Sequence, residues 1–196
     1  VMTITNSVIR DHINLDTMSY GKHILVNLGS LNIYDSTITN NILRGSYSIV
    51  IDNQGSMNIA GSTISHNQNN DWSGYIIFNH TGLTVHNSTF RNNGNEEGMG
   101  GVISSAAPLT ITDSLFEDNN ASEGGAIFNE SDLFITDSVF HNNGSMQTLG
   151  GAIAFHSFND EVLIVISSTD FLSNTAYYGG ALYLFNDAIV NLRDQS

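Results

Sequence analysis

The sequence predicts an all-β protein built as a parallel β-helix, a solenoid of about seven coils of roughly 26 residues with three short strands in each. Three observations predict it. The pattern apolar-x-apolar-x-x-Ser/Thr-x-Ile/Phe-x-x-Asn/His recurs seven times, clearest from Leu83 to Asn93, Leu109 to Asn119 and Leu133 to Asn143. Its anchoring hydroxyls, Ser7, Ser36, Ser62, Ser88, Ser114, Ser138 and Thr169, are separated by 29, 26, 26, 26, 24 and 31 residues. A period in that range marks a stack in which each unit buries its apolar face only against its neighbours. Finally, the apolar residues alternate with period two on a background rich in Asn, Ser, Thr, Gly, Ile and Val. Helical repeats need apolar residues at i, i+3, i+4 and i+7 on good helix formers.

One coil shows how each element arises. In Leu109-Thr110-Ile111-Thr112 the apolar side chains alternate with hydroxyls, so Leu109 and Ile111 face one side of a strand. The chain bends at Asp113, and Ser114 and Phe116 restore the alternation in a second strand that Asn119 closes. A polar, variable stretch follows. Then Gly124-Gly125-Ala126-Ile127 forms a third strand leading back to Leu133. Stacked at about 4.8 Å per coil, seven coils make a rod roughly 34 Å long.

Stacking turns equivalent positions into columns. Phe90, Phe116, Phe140 and Phe171 share one position, with Ile9, Ile38 and Ile64 in earlier coils. Leu31, Met57, Leu83, Leu109, Leu133 and Ile164 form a second column, and Ile33, Ile59, Val85, Ile111, Ile135 and Ile166 a third. Three residues after the Phe or Ile position stand Asn41, Asn67, Asn93, Asn119, Asn143 and Asn174. Asn accommodates left-handed backbone at a bend, and stacked amides bond to one another along an axis. His12 takes the Asn slot of the first coil, where irregular stacking is expected.

Composition narrows the function classes. The chain has 196 residues, 40% of them hydrophobic and 12% charged, with 18 glycines and one proline; a disordered chain would carry fewer apolar residues. Asp and Glu number 19 against 5 Lys and Arg, a formal charge of −14. Nucleic-acid binding needs a basic face and is therefore not expected, nor is binding to an anionic membrane. No stretch approaches the apolar length that spans a bilayer. Zero cysteines remove disulfides, thiolate zinc sites and thiol catalysis. The N-terminus starts in mid-pattern with no signal-like n-region, so either a signal was removed or the chain is a piece of something longer; residues 1–196 read as a single solenoid domain, expected to be a segment of a larger stack or a subunit that pairs end to end.

Double glycines pair with the Phe positions. Phe90 to Asn93 goes with Gly100-Gly101-Val102-Ile103, and Phe116 to Asn119 with Gly124-Gly125-Ala126-Ile127. Phe140 to Asn143 goes with Gly150-Gly151-Ala152-Ile153, and Phe171 to Asn174 with Gly179-Gly180-Ala181-Leu182. These Gly-Gly-Ala-Ile/Leu/Val and Phe-x-x-Asn pairs resemble the repeats of chlamydial-type polymorphic outer-membrane proteins. They cover residues 83–187, while residues 1–82 hold degenerate coils in which Ile replaces Phe and the double glycine is lost. The resemblance implies a right-handed β-helix carried as the surface passenger of an autotransporter and working as an adhesin, at an extracellular or outer-surface location.

The candidate chemistry is sparse. Asp35, Asp113, Asp137 and Asp194 form a column of acids just before the hydroxyl anchors, with Asn6, Gly61, Asn87 and Ser168 at the same slot in other coils. That interchange points to turn-forming residues, although consecutive Asp113 and Asp137 stand close enough to share a cation. No cofactor or metal is expected, and calcium stays open. His66, His86 and His141 fall at different offsets from their anchors and do not stack into one ligand set. Where coil length varies, loops project along a single edge and present Trp72, Met99, Met146, Leu149, Tyr177 and Tyr178, residue types enriched where proteins meet partners. Five Asn-x-Ser/Thr sequons occur, at Asn79, Asn87, Asn120, Asn129 and Asn143; glycosylation at Asn143 is incompatible with a buried ladder. The expected function is non-catalytic, an adhesin or structural rod that meets a protein or glycan ligand or associates end to end. The alternative is a carbohydrate-active β-helix enzyme, a lyase or hydrolase.

Overall fold

A computed structural model describes residues 1–15, 21–69, 75–99, 101–144, 146–156, 162–185 and 189–193. It is a right-handed parallel β-solenoid in which each strand lies beside its counterpart one coil away. One coil illustrates the path: Ile49–Asn53, Ser56–Ala60, Thr63–Ser65 and Gln68–Asn69 are successive strands, each in a different sheet. Taking the sheet of Ser56–Ala60 as the first, the four sheets hold eight, seven, five and seven strands among the described residues. The three strands expected per coil are the first, second and fourth sheets. The third sheet adds short strands in five coils.

Every pairing among the described residues is parallel, and register holds throughout except for an irregularity between Asn95 and Met99 in the third sheet. Leu31, Met57, Leu83, Leu109, Leu133 and Ile164 are consecutive partners in the first sheet, and so are Ile33, Ile59, Val85, Ile111, Ile135 and Ile166. A further inward column, Leu25, Ile51, Ile77, Ile103, Ile127, Ile153 and Leu182, lines the fourth sheet. The Phe column stacks face to face, with ring centroids 4.6, 4.8 and 5.1 Å apart and planes within 11° of parallel. Each fully buried member contributes about 1.5 to 3 kcal/mol.

The corners are set by left-handed backbone. Asn6, Asp35, Gly61, Asn87, Asp113, Asp137 and Ser168 all have φ between 44° and 60°, between the first and second sheets. Asn and Asp reach that region more readily than other side chains. The hydroxyl that follows bridges two coils. Each Ser Oγ donates to the carbonyl two residues back at 2.7–2.9 Å. It also accepts the backbone N–H of the serine one coil earlier at 3.1–3.2 Å.

Three expectations are corrected. The left-handed residue of the second corner is not the ladder Asn but the residue before it: Asp11, Asn40, His66, Asn92, Asp118, Asn142 and Ser173, with φ between 52° and 60°. This turns the ladder Asn inward, where Asn41, Asn67, Asn93, Asn119 and Asn143 are buried and Asn174 is half-buried. The first coil is regular despite His12, because Val8, Ile9 and Arg10 pair with Thr37, Ile38 and Thr39, and His12 N–H still donates to Asn41 Oδ1. Gly94–Met99 and Asn120–Glu123 are strands of the third sheet and not projecting loops. Backbone groups left open by one coil are satisfied by the next even where the sequence has no β pattern.

Inside the corner the Asn ladder runs from Asn41 to Asn174. Each Nδ2 donates to the next Asn Oδ1 at 2.8–3.1 Å and to a backbone carbonyl at 2.8–3.3 Å. Each Oδ1 also takes the backbone N–H of the Asn one coil earlier. A buried amide is thereby satisfied on every side.

Candidate functional site

Strand alternation aims every second side chain of the fourth sheet outward. Asp52, Phe78, Ser104, Phe128, Ala154 and Tyr183 are consecutive partners in one such column. Two residues along, beyond the inward Asn53 and Asn79, stand Gln54 and His80. In the later coils Glu130, His156 and Phe185 occupy that second column. This face carries aromatic rings and carboxylates together. None of it was marked by the repeat motif, which is written by inward and corner residues.

In the earlier coils the face is a compact cluster. Tyr75 stacks on Phe78 with centroids 4.6 Å apart, and Phe78 meets His80 edge-on at 4.2 Å. His80 Nε2 lies 3.1 Å from Asp52 Oδ1, and Gln54 Nε2 donates to Asp52 Oδ2 at 2.7 Å. Asp52 is thus 3% exposed yet has polar neighbours on both oxygens. Burial raises the Tyr75 hydroxyl above its usual range, with the charges of Glu130 and Tyr47 adding to it. Burial likewise raises the Glu130 carboxyl; His156 works against that shift and Glu123 adds to it.

The later coils join this face to the predicted edge. Met99 pairs with Glu123, Glu123 with Leu149, and Leu149 with Tyr178, one residue per coil. Tyr177 and Tyr178 are 69% and 57% exposed, with rings edge-on at 4.5 Å, and Met146 is 76% exposed. Leu149 is half-buried. The structure therefore brings Met99, Leu149 and Tyr178 into one column, with Tyr177 beside them. Trp72 and the Met99 side chain lie outside the described residues.

The double glycines build this edge. Gly124, Gly150 and Gly179 take φ of 56°, 69° and 63°. A Cβ on the following Gly125 would strike the backbone of Gly144 and Gly151, and one on Gly151 the backbone of Gly180 and Thr175. The chain thus passes close over its neighbours before entering the fourth sheet. No side chain fits there.

The acid column behaves differently. Asp113 and Asp137 line a shallow hollow of about 370 Å³ with Asn87, Ser88 and Ser114. Asp113 Oδ2 lies 3.4 Å from His86 Nδ1, and Thr136 Oγ1 donates to Asp137 Oδ2. Asp194 lies outside the described residues. Among the described residues no group of three or more His, Asp and Glu is placed to hold a metal. His66 sits in a left-handed corner, His86 bonds Thr112, and His141 lies 3.1 Å from Glu117. Of the sequons, Asn79, Asn129 and Asn143 are buried in the inward columns, Asn120 is half-buried and Asn87 is exposed.

Fold and flank together define a parallel β-solenoid with an aromatic and acidic flank along its fourth sheet. Over residues 2–194 the sequence matches the family described as a right-handed β-helix region, and the chain belongs to that family. No curated protein and no solved structure matches it. No helix among the described residues is long and apolar enough to cross a membrane.

Proposed function

We propose that this β-helix is a non-catalytic binding element of a cell surface or secreted fibre, acting as an adhesin or as a rod that presents its flank to a partner. The family itself holds enzymes and non-enzymes alike. The observation that carries the reading is the column Met99, Glu123, Leu149, Tyr178, which sets exposed Tyr177 and Tyr178 beside Leu149 on one edge. Rigid aromatic side chains supply contact area at small entropic loss, and such anchors dominate interfaces. Carriage as an autotransporter passenger, at an extracellular or outer-surface location, accords with the paired Phe-x-x-Asn and Gly-Gly motifs. Soluble labelled protein should attach to a panel of immobilised matrix proteins and cell-surface glycans. Leu149→Ser combined with Tyr177→Ser and Tyr178→Ser should lower attachment about tenfold or more while leaving the far-ultraviolet dichroism intact; unchanged attachment removes this surface from the function.

A second reading, a carbohydrate-active enzyme, draws on Asp113 and Asp137 in consecutive coils facing one polar hollow. Against it, each occupies a left-handed corner that Asn, Gly and Ser fill equally in other coils. The residue type there follows backbone geometry. Cleavage of an acidic or neutral polysaccharide that Asp113→Asn or Asp137→Asn abolishes would establish the enzyme and displace the adhesin.

A further inference from the structure

Beside the Leu149–Tyr178 edge the outer face of the fourth sheet closes into a pocket of about 170 Å³. Its floor is Ala154 and Phe155, both buried. Phe128 and Tyr183 are the register partners of Ala154 in the coils on either side. Their backbones therefore stand two strand spacings apart, about 9.6 Å. The small Ala154 between them leaves a slot. A cation above Ala154, midway between the strands of Phe128 and Tyr183, lies about 4.8 Å from the line of each, inside the roughly 6 Å over which an aromatic face attracts positive charge.

The one carboxylate lining this slot is Glu123. Glu123 and Leu149 form the rim, and His156 and Phe185 the far wall, their rings edge-on at 4.7 Å. Glu130 adjoins His156, and it feels Glu123 as an added negative charge. His156 offsets part of that charge. A guest cation would relieve the rest, whereas a neutral sugar would not. The volume holds one side chain and not an oligosaccharide. The net charge of −14 draws basic partners toward the rod from a distance.

We propose that the pocket of Glu123, Phe128, Leu149, Ala154, Tyr183 and Phe185 receives the guanidinium of an arginine on a basic protein partner, sandwiched between Phe128 and Tyr183 and held by Glu123. Arginine suits the slot because its guanidinium is planar, weakly hydrated and stacks on aromatic faces. The assignment rests on the reading of the adjoining edge as a partner surface, and gives that partner its chemistry.

Nuclear magnetic resonance titration with N-acetyl-arginine amide tests it. The Phe128 and Tyr183 ring resonances should shift and saturate, with N-acetyl-citrulline amide, which is neutral and of the same shape, binding about tenfold more weakly. Glu123→Gln, which keeps the size of the side chain, should weaken the arginine probe by a similar factor. Tyr183→Leu should do the same with unaltered dichroism. Equal binding of the citrulline probe, or no saturable shift, overturns the proposal. So does glucose or N-acetylglucosamine shifting these rings in place of the arginine probe. If the Leu149/Tyr177/Tyr178 variant loses attachment while the probe fails to bind, the slot is wrong and the edge stands. If the probe binds and that variant attaches normally, the edge is wrong and the slot is not a docking pocket.

Discussion

At the scale of single residues, the backbone decides the meaning of most acids here, and Glu130 is the exception. Asp35, Asp113 and Asp137 stand where φ is 47° to 50°, so their type was legible in the sequence from the Asn and Gly that replace them. Glu130 carries no such signature. It looks like any polar residue after a strand, and only the register shows that it is half-buried beside His156. Burial and Glu123 hold its carboxyl above the ordinary range. Between that range and its raised value the folded protein keeps a proton that the unfolded chain has released, so its contribution to stability falls as pH rises through the window. Glu130→Gln removes the group. The variant should match the wild type near pH 4 and exceed it in urea midpoint near neutrality; a difference that does not change with pH contradicts the placement of this carboxyl.

At the scale of the element, two neighbouring asparagines do opposite jobs. Asn92 sits at φ 52° with its side chain outward, while Asn93 is buried and bonded to Asn119 and to the Ile64 carbonyl. Asn93→Ala takes away the acceptor shared by the Asn67 backbone N–H and one Asn67 Nδ2 hydrogen, at about 1 to 3 kcal/mol for each unpaired group. The expected loss is about 2 to 5 kcal/mol in denaturant unfolding. Asn92→Gly suits the left-handed corner and should stay within about 1 kcal/mol. Equal losses at the two sites would mean that the ladder carries no special share of stability. The Asn41 to Asn174 ladder was readable because it closes a motif with a Phe or Ile three residues earlier. A second ladder was missed: Asn27, Asn53 and Asn79 donate in turn to Asn53, Asn79 and Ser105 at 2.7–2.8 Å. Its three asparagines are spaced by 26 residues, and that spacing alone could have revealed it. It ends in Ser105, and Phe155 replaces its Asn further on, so no common letter runs through the column. The outer aromatic face was illegible for a related reason. Outward positions in a solenoid are free to differ from coil to coil, and repetition, the signal that exposed the core, is absent there.

At the scale of the whole molecule, the rod should behave as a sum of coils and their contacts, because each described strand pairs only with its counterparts one coil away. This makes the number 26 a testable quantity. Deleting Ser88 to Asp113 joins Asn87 to Ser114, the residue that replaces Ser88 one coil on, and every column keeps its neighbours: Ile64 meets Phe116, Asn67 meets Asn119, and Ile77 meets Ile127. Deleting Ser88 to Thr112 removes one residue fewer and inserts Asp113 after Asn87, which puts two left-handed residues at a corner built for one. A slip of one position turns the following inward side chains to the outside, because strand side chains alternate with period two. The first deletion should preserve β dichroism, a cooperative urea transition and resistance to protease, with a smaller dependence on denaturant because less surface is buried. The second should lose the cooperative transition or retreat to the coils before Asn87. Comparable stability of the two proteins would mean that the corner absorbs an extra residue, and that inward register is not what holds the stack together.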